Sequence, residues 1–210
     1  MKKLSKEGYL TLREGAKVIE SDGHGDKVLL LPDGSYLKLF RRKRLLSTAL
    51  FSPYAKRFAK NASKLAMLDI PTVSIIDLFR IPSIERTAVH YSPLAGTTLR
   101  EMKNGVDNTL ALKLGKFIRQ LHDKGIYFRS LHFGNIVLTP DNQLGLIDIS
   151  DMKFFYSSLS LKLRLRNFKH SARYSNDRDI LKKSINAFNQ GYQFIEKSPI
   201  TEQILRTIYT

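Results

Sequence analysis

The 210-residue chain contains no cysteine. That excludes disulfides and thiolate-bound zinc, and leaves any metal to oxygen and nitrogen ligands. No apolar run approaches the ~18 residues of a membrane span. The basic start MKKLSKEGYLTL lacks the continuous apolar core, ~7–15 residues, of a secretory leader. Together these absences make a cytoplasmic protein the expectation, at most peripheral at the inner membrane. Acidic residues are scarce: 19 Asp and Glu stand against 35 Lys and Arg, a formal charge of +16. Such a surface selects acidic partners as a class, namely nucleic acid, anionic lipid or phosphorylated glycan, without choosing a reaction. There is no G-x-G-x-x-G fingerprint, internal repeat or low-complexity segment. The 42% hydrophobic content suffices for one ordinary domain or two small lobes.

The informative stretch is Gly125 to Asp151, GIYFRSLHFGNIVLTPDNQLGLIDISD. A polar loop, Arg129 to Asn135, precedes two apolar runs, Ile136–Leu138 and Leu144–Ile147, separated by Thr139-Pro140-Asp141-Asn142. Two strand-like runs across such turn chemistry predict a β-hairpin. Its outer ends, Asn135 and Asp148, must then lie side by side. An amide oxygen beside a carboxylate suits Mg²⁺, which keeps several waters and takes further ligands from substrate phosphates.

Earlier in the chain, Lys27–Leu31 and Ser35–Phe40 flank Pro32-Asp33-Gly34 and predict a strand pair with a tight turn. Alternation puts Tyr36, Lys38 and Phe40 on one face of the second strand. The basic block Arg41, Arg42, Lys43 and Arg44 follows, read either as a solvated face or as a hold on an anionic acceptor. Ser52-Pro53 reads as the start of an amphipathic helix carrying Tyr54, Phe58, Ala62, Leu65 and Leu68 and stopping at Ile70-Pro71. Ile75–Ile81 and Thr87–Tyr91 read as strands, and Ser92–Thr97 as a turn-rich connector. From Asn108, as N-cap, a stripe of Leu110, Leu114, Phe117, Ile118 and Leu121 predicts a helix ending at Gly125, with His122 structural. Residues 154–175 fit a strand or a helix. Their cations Arg164, Arg166, Lys169 and Arg173 fit a solvated face or an anionic membrane or glycolipid. Residues 179–196 read as one helix, with a short one after Pro199.

The loop Phe128 to Asn135 and the following Asp148-Ile149-Ser150 resemble, in spacing, the H-x-D-L-H-x-G-N and D-F-G segments of the protein-kinase-like superfamily. The likeness is to the lipopolysaccharide core heptose kinase branch, and above all, with KVLLLPDGSYLKLFRRKR and PYAKRFAKN, to bacterial toluene-tolerance proteins. The resemblance implies an α+β, reduced two-lobed kinase-like fold: a small antiparallel-sheet lobe over 1–91, a hinge over 92–98 and a helical lobe over 99–210. It implies ATP and Mg²⁺ as cofactors, with Asn135 and Asp148 as metal ligands, Lys38 on the nucleotide phosphates, Tyr36 at the base, and Tyr91 and Pro93 at the adenine-binding hinge. Asn61 falls where a kinase helix carries the glutamate that pairs with the strand lysine. The departure is at the catalytic loop, Arg129, Ser130 and His132, where Ser130 stands in the aspartate's place and Phe128 in that of the preceding histidine; His132 is then an alternative proton acceptor. The implied activity is phosphoryl transfer to an acidic acceptor such as lipopolysaccharide core. The alternative is a pseudokinase scaffold or nucleotide-binding regulator in envelope biogenesis. A nucleic-acid-binding domain explains the charge but not the order of the elements.

Overall fold

Period-two alternation builds the sheet of the amino-terminal part of the chain. In the computed structural model, which describes residues 1–41, 53–102 and 105–193, Tyr36–Arg41 is a strand with Leu37 and Leu39 buried and Tyr36, Lys38 and Phe40 on the opposite face. The chain divides into two compact units, Met1–Leu94 and Ala95–Thr210. The division falls inside the connector read over 92–98, and the architecture is α+β. Of the sequence readings, Ser52 as a helix start, the cations Arg42, Lys43 and Arg44, and the helix after Pro199 lie outside the described residues.

The first unit holds strands β1 (Lys2–Lys3), β2 (Lys17–Asp22), β3 (Gly25–Leu30), β4 (Tyr36–Arg41), β5 (Ser74–Ile81) and β6 (Arg86–Ser92), with helices α1 (Lys6–Arg13) and α2 (Tyr54–Ala66). The six strands form one sheet in the order β1-β5-β6-β4-β3-β2, antiparallel except for β1 against β5. On one face Leu29, Leu31, Leu37, Leu39, Phe79, Ile81 and Ala88 form a core with Tyr9 of α1. On the other face, Phe58 of α2 packs against Phe40 and Tyr91, with centroids 6.3 and 5.4 Å away. Helix α1 is a feature that the sequence reading did not include. It has eight residues and buries one of them, Tyr9, too short a stretch to display a helical period. Its start is set by Ser5, whose hydroxyl accepts from the Gly8 amide at 3.0 Å.

The second unit contains β7 (Thr97–Thr98), α3 (Asn108–Asp123), β8 (Ile126–Phe128), β9 (Ile136–Leu138), β10 (Leu144–Leu146), β11 (Met152–Phe154), α4 (Leu161–Ser171), α5 (Ser175–Lys182) and α6 (Ile185–Gln193). Helix α3 is capped one residue earlier than the sequence suggested. Asp107 keeps the extended dihedrals of an N-cap and accepts from the Leu110 amide at 2.8 Å, which makes Asn108 the first helical residue. Helices α3 and α6 touch backbone to backbone. A Cβ on Gly115 would stand 2.1 Å from the Phe188 carbonyl, and one on Gly191 2.0 Å from that of Leu112.

The ambiguous stretch 154–175 resolves into β11 and α4. Arg164, grouped with surface cations from sequence, is buried instead: it donates to the Leu159 carbonyl at 2.8 Å and to Asp123 at 2.7 Å. The single helix expected over 179–196 is broken between α5 and α6, where the Ser184 hydroxyl donates to the Val106 carbonyl at 2.9 Å. Among the described residues no helix is long and apolar enough to cross a membrane.

Candidate functional site

Two small antiparallel pairings assemble the loops of the second unit. Strands β9 and β10 pair with Ile136 opposite Leu146. The hairpin is closed at its turn by Thr139, whose backbone and hydroxyl exchange three hydrogen bonds with Gln143. At the open end the Ile147 amide donates to the Asn135 carbonyl at 3.1 Å, so the ladder continues to the residue before Asp148. Strands β8 and β11 pair with Phe128 opposite Met152. That register brings the residues after β8, Arg129 and Ser130, against the residue before β11, Asp151. The segments 129–135 and 147–151 are therefore joined at both ends, Asn135 to Ile147 and Arg129 and Ser130 to Asp151.

Asn135 is buried, and its amide is oriented by two contacts. Nδ2 donates to the Ser130 carbonyl at 3.0 Å and lies 3.2 Å from Nε2 of His132. The bond to the Ser130 carbonyl orients the amide and leaves Oδ1 as the atom the side chain has to offer a cation. Nδ1 of the same histidine ring lies 3.4 Å from Nη2 of Arg100, a donor, so a neutral His132 can accept at only one of its two nitrogens. Asp148 is exposed and sits in the left-handed region at φ 52°, ψ 46°, a conformation that costs a non-glycine residue free energy and clusters at functional sites.

His132 lies edge-on to Tyr174, with centroids 4.9 Å apart. Burial, then the Arg100 guanidinium, hold its imidazole below the ordinary histidine range, while Asp177, Asp148 and Asp151 pull the other way.

A clamp that the sequence did not reveal fixes this loop from behind. Arg100 makes two parallel hydrogen bonds to the fully buried Asp177, 2.9 and 2.8 Å long, and Asp177 also accepts from the Phe133 amide at 2.9 Å. Gly134 makes room for it: a Cβ there would meet the Arg100 guanidinium at 3.0 Å and the His132 ring at 3.3 Å. Nothing in the spacing of Arg100 and Asp177 links them to the loop. Asp151 lies in plain view in Asp148-Ile149-Ser150-Asp151, yet its pairing depends on the β8–β11 register.

On the side of Asp151 the Ser130 hydroxyl donates to Oδ2 at 2.7 Å, and Arg129 donates to the same oxygen at 3.3 Å. His170 of α4 is held below its ordinary range by burial and by Arg173, Arg166 and Arg129, with Asp151 opposing them. Arg166 of α4, Arg173 just after it and Arg129 of the loop thus act on the same histidine.

The remaining sequence-selected residues belong to the first unit. Tyr36 and Tyr91 are register partners across β4 and β6 and stack at 5.7 Å. Lys38, between Tyr36 and Phe40 on that face, has its ammonium 6.0 Å from the Phe40 centroid. Asn61 is a buried residue of α2, not a residue of the helix surface, and Pro93 is exposed just after β6.

Asn135 Oδ1 and the exposed Asp148 carboxylate, at the open end of the hairpin, are oxygen donors of the kind that Mg²⁺ takes beside water and phosphate. Among the described residues no group of three or more His, Asp or Glu side chains forms a denser metal site. The chain matches no family model and no curated protein.

Proposed function

We propose that the chain is a Mg²⁺-dependent phosphotransferase that uses ATP and acts on an acidic envelope glycan or glycolipid, such as lipopolysaccharide core. The observation that carries this reading is the orientation of Asn135: its nitrogen donates to the Ser130 carbonyl, its oxygen is left for a cation, and its backbone pairs with Ile147, the residue before Asp148. Phosphoryl transfer asks a protein mainly for positioning and charge stabilisation. A two-ligand Mg²⁺ site on rigid loops supplies both. Bound Mg²⁺ would contribute charge neutralisation on the phosphates, and Asn135 and Asp148 would hold it. The exposed cations around His170 suit an anionic acceptor. In this reading His132 positions Asn135 and is not itself the proton acceptor.

A second reading, a pseudokinase that binds nucleotide or only a partner, is favoured by Ser130, because a serine hydroxyl is a poor base at ordinary pH. Calorimetry and thermal shift with ATP, with and without Mg²⁺, test the site. Mg·ATP at one hundred times its dissociation constant should stabilise the fold by about 2.7 kcal/mol. Asp148→Asn, or removal of Mg²⁺ with a chelator, should abolish the metal-dependent part. No heat and no shift at saturating Mg·ATP would sink the assignment.

A further inference from the structure

We infer that the Ser130–Asp151 pair replaces the missing catalytic carboxylate, with Asp151 accepting a proton relayed through the Ser130 hydroxyl; this rests on the phosphotransfer reading. The β8–β11 register, continued by one residue, sets Asp151 opposite Arg129 and so next to Ser130, the loop position where the kinase-like pattern has its aspartate. At 2.7 Å, the Ser130 hydroxyl already points its hydrogen at Oδ2 of Asp151. A substrate alcohol that donates to Ser130 Oγ therefore finds a two-step path to a carboxylate.

The contrast with Asp177 separates a proton acceptor from a structural anion. Asp177 is fully buried and takes two hydrogen bonds from Arg100 and one from the Phe133 amide, which occupy both oxygens. Asp151 has its Oδ1 buried without a hydrogen-bond partner among the described residues, while Oδ2 alone takes Ser130 and the largely exposed Arg129. An unsatisfied buried carboxylate oxygen is uncommon in a folded chain and marks Asp151 off from the fully bonded Asp177. Asp151 keeps some exposure, about 20% of its side chain. Arg129, Arg166 and Arg173 act on His170 together with Asp151, and positive charge on that side of the unit suits an acidic acceptor.

The step balances as follows. The acceptor oxygen forms a bond to the γ-phosphorus as the bond from that phosphorus to the bridging oxygen breaks, and ADP leaves with the electron pair. The acceptor's hydroxyl proton moves to Ser130 Oγ while the Ser130 proton moves to Asp151 Oδ2. Asp151 then returns its proton to solvent.

The test measures Mg·ATP turnover with water and with deacylated lipopolysaccharide core as acceptors. Asp151→Asn should lower kcat by about 10²-fold or more, the usual worth of general acid–base help, and leave the KM for ATP within about twofold, since binding is not its task. Ser130→Ala should fall by a similar factor. Asp151→Glu, which retains the carboxylate, should lose less than Asp151→Asn. The decisive variant is Ser130→Asp combined with Asp151→Asn: it moves one carboxylate into the loop and should recover at least about tenfold over Asp151→Asn alone, which relief of a merely structural defect would not do. Wild-type kcat in Asp151→Asn, or a double variant no better than the single, overturns the relay while leaving the phosphotransferase reading intact. Wild-type protein that binds Mg·ATP but turns over neither acceptor also overturns the relay and favours the pseudokinase. Absence of Mg·ATP binding removes both.

Discussion

Arg100 and Asp177, seventy-seven residues apart, meet through two parallel hydrogen bonds, and the same carboxylate takes the amide of Phe133 in the loop that presents Asn135. A bidentate guanidinium–carboxylate pair is directional as well as strong, so the clamp fixes both the position and the orientation of the loop. Asp177 is wholly buried, whereas the Arg100 side chain keeps about a third of its exposure. Breaking such a pair from one side leaves the other charge without compensation. Arg100→Ala should therefore cost about 3–5 kcal/mol, because the stranded carboxylate has no access to water. Asp177→Ala should cost less, since Arg100 can turn outward. Arg100→Lys should rescue little, as an ammonium cannot reproduce the fork. Urea denaturation orders the three; a loss below about 1 kcal/mol in Arg100→Ala would show that the pair does not hold the loop.

The contact between α3 and α6 gives a sharper prediction. Gly115→Ala and Gly191→Ala each put a methyl group within 2.1 Å of a facing carbonyl oxygen, and backbone cannot yield as a side chain does. Overpacking of this kind typically costs about 1–3 kcal/mol and sometimes more, and here each variant should reach at least the upper end. Gly23→Ala, with nothing within 4 Å of the added carbon, is the control and should stay within about 0.5 kcal/mol. Equal melting temperatures for the three variants would contradict the close approach.

What was legible in the sequence was local, and what was not was long-range. The β9–β10 hairpin was readable because Thr139 to Asn142 carry their own turn chemistry between two short apolar runs, and the closure follows from strand pairing alone. Tyr36, Lys38 and Phe40 shared a face because alternation has a fixed period. Helix α1 escaped because eight residues with one buried aromatic display no period, and α4 stayed ambiguous because its basic and apolar residues fit either period. Arg164 looked like a surface cation until Asp123 and the Leu159 carbonyl gave its guanidinium an interior set of acceptors. Asp151, Arg100 and Asp177 escaped as site residues for one reason: each acquires its role from a partner between 21 and 77 residues away.

His122 links the core to pH. Burial pushes its imidazole down to about 3, against the opposing effect of the hydrogen bond it donates to Asn167 Oδ1. Its two nitrogens lie 2.8 Å from the Tyr192 hydroxyl and 3.1 Å from Asn167 Oδ1. The folded state thus keeps the ring neutral where the unfolded chain, near pH 6.5, takes up a proton. Because the unfolded state binds more protons, stability falls as pH drops below about 6.5 and keeps falling toward 3. Between about pH 6.5 and pH 5 the loss from this residue should be about 1.5 kcal/mol. His122→Gln, which can still hydrogen-bond but does not titrate, should be less stable at neutral pH yet show a shallower decline. Parallel pH profiles for the two proteins would exclude His122 as the source.

The exposed cations of the second unit should govern its encounter with acidic surfaces. Arg166, Lys169 and Arg173 are exposed in and just after α4, Arg129 keeps 64% of its side-chain exposure, and three of these four act together on His170. Each arginine near an anionic membrane contributes about 1 kcal/mol, an attraction that falls away over about one Debye length. Arg166→Ser with Arg173→Ser should therefore weaken binding to vesicles containing anionic lipid or lipopolysaccharide by roughly 10–30-fold at low salt. Raising salt to physiological strength, where screening acts over about 8 Å, should shrink the difference between wild type and the double variant. The fold should be untouched, because neither guanidinium is buried, whereas Arg164→Ser should destabilise the protein by removing the donor that Asp123 and the Leu159 carbonyl share. Vesicle co-sedimentation measures the first effect and thermal melting the second. Equal binding to neutral and anionic vesicles at low salt would remove the acidic surface as a partner.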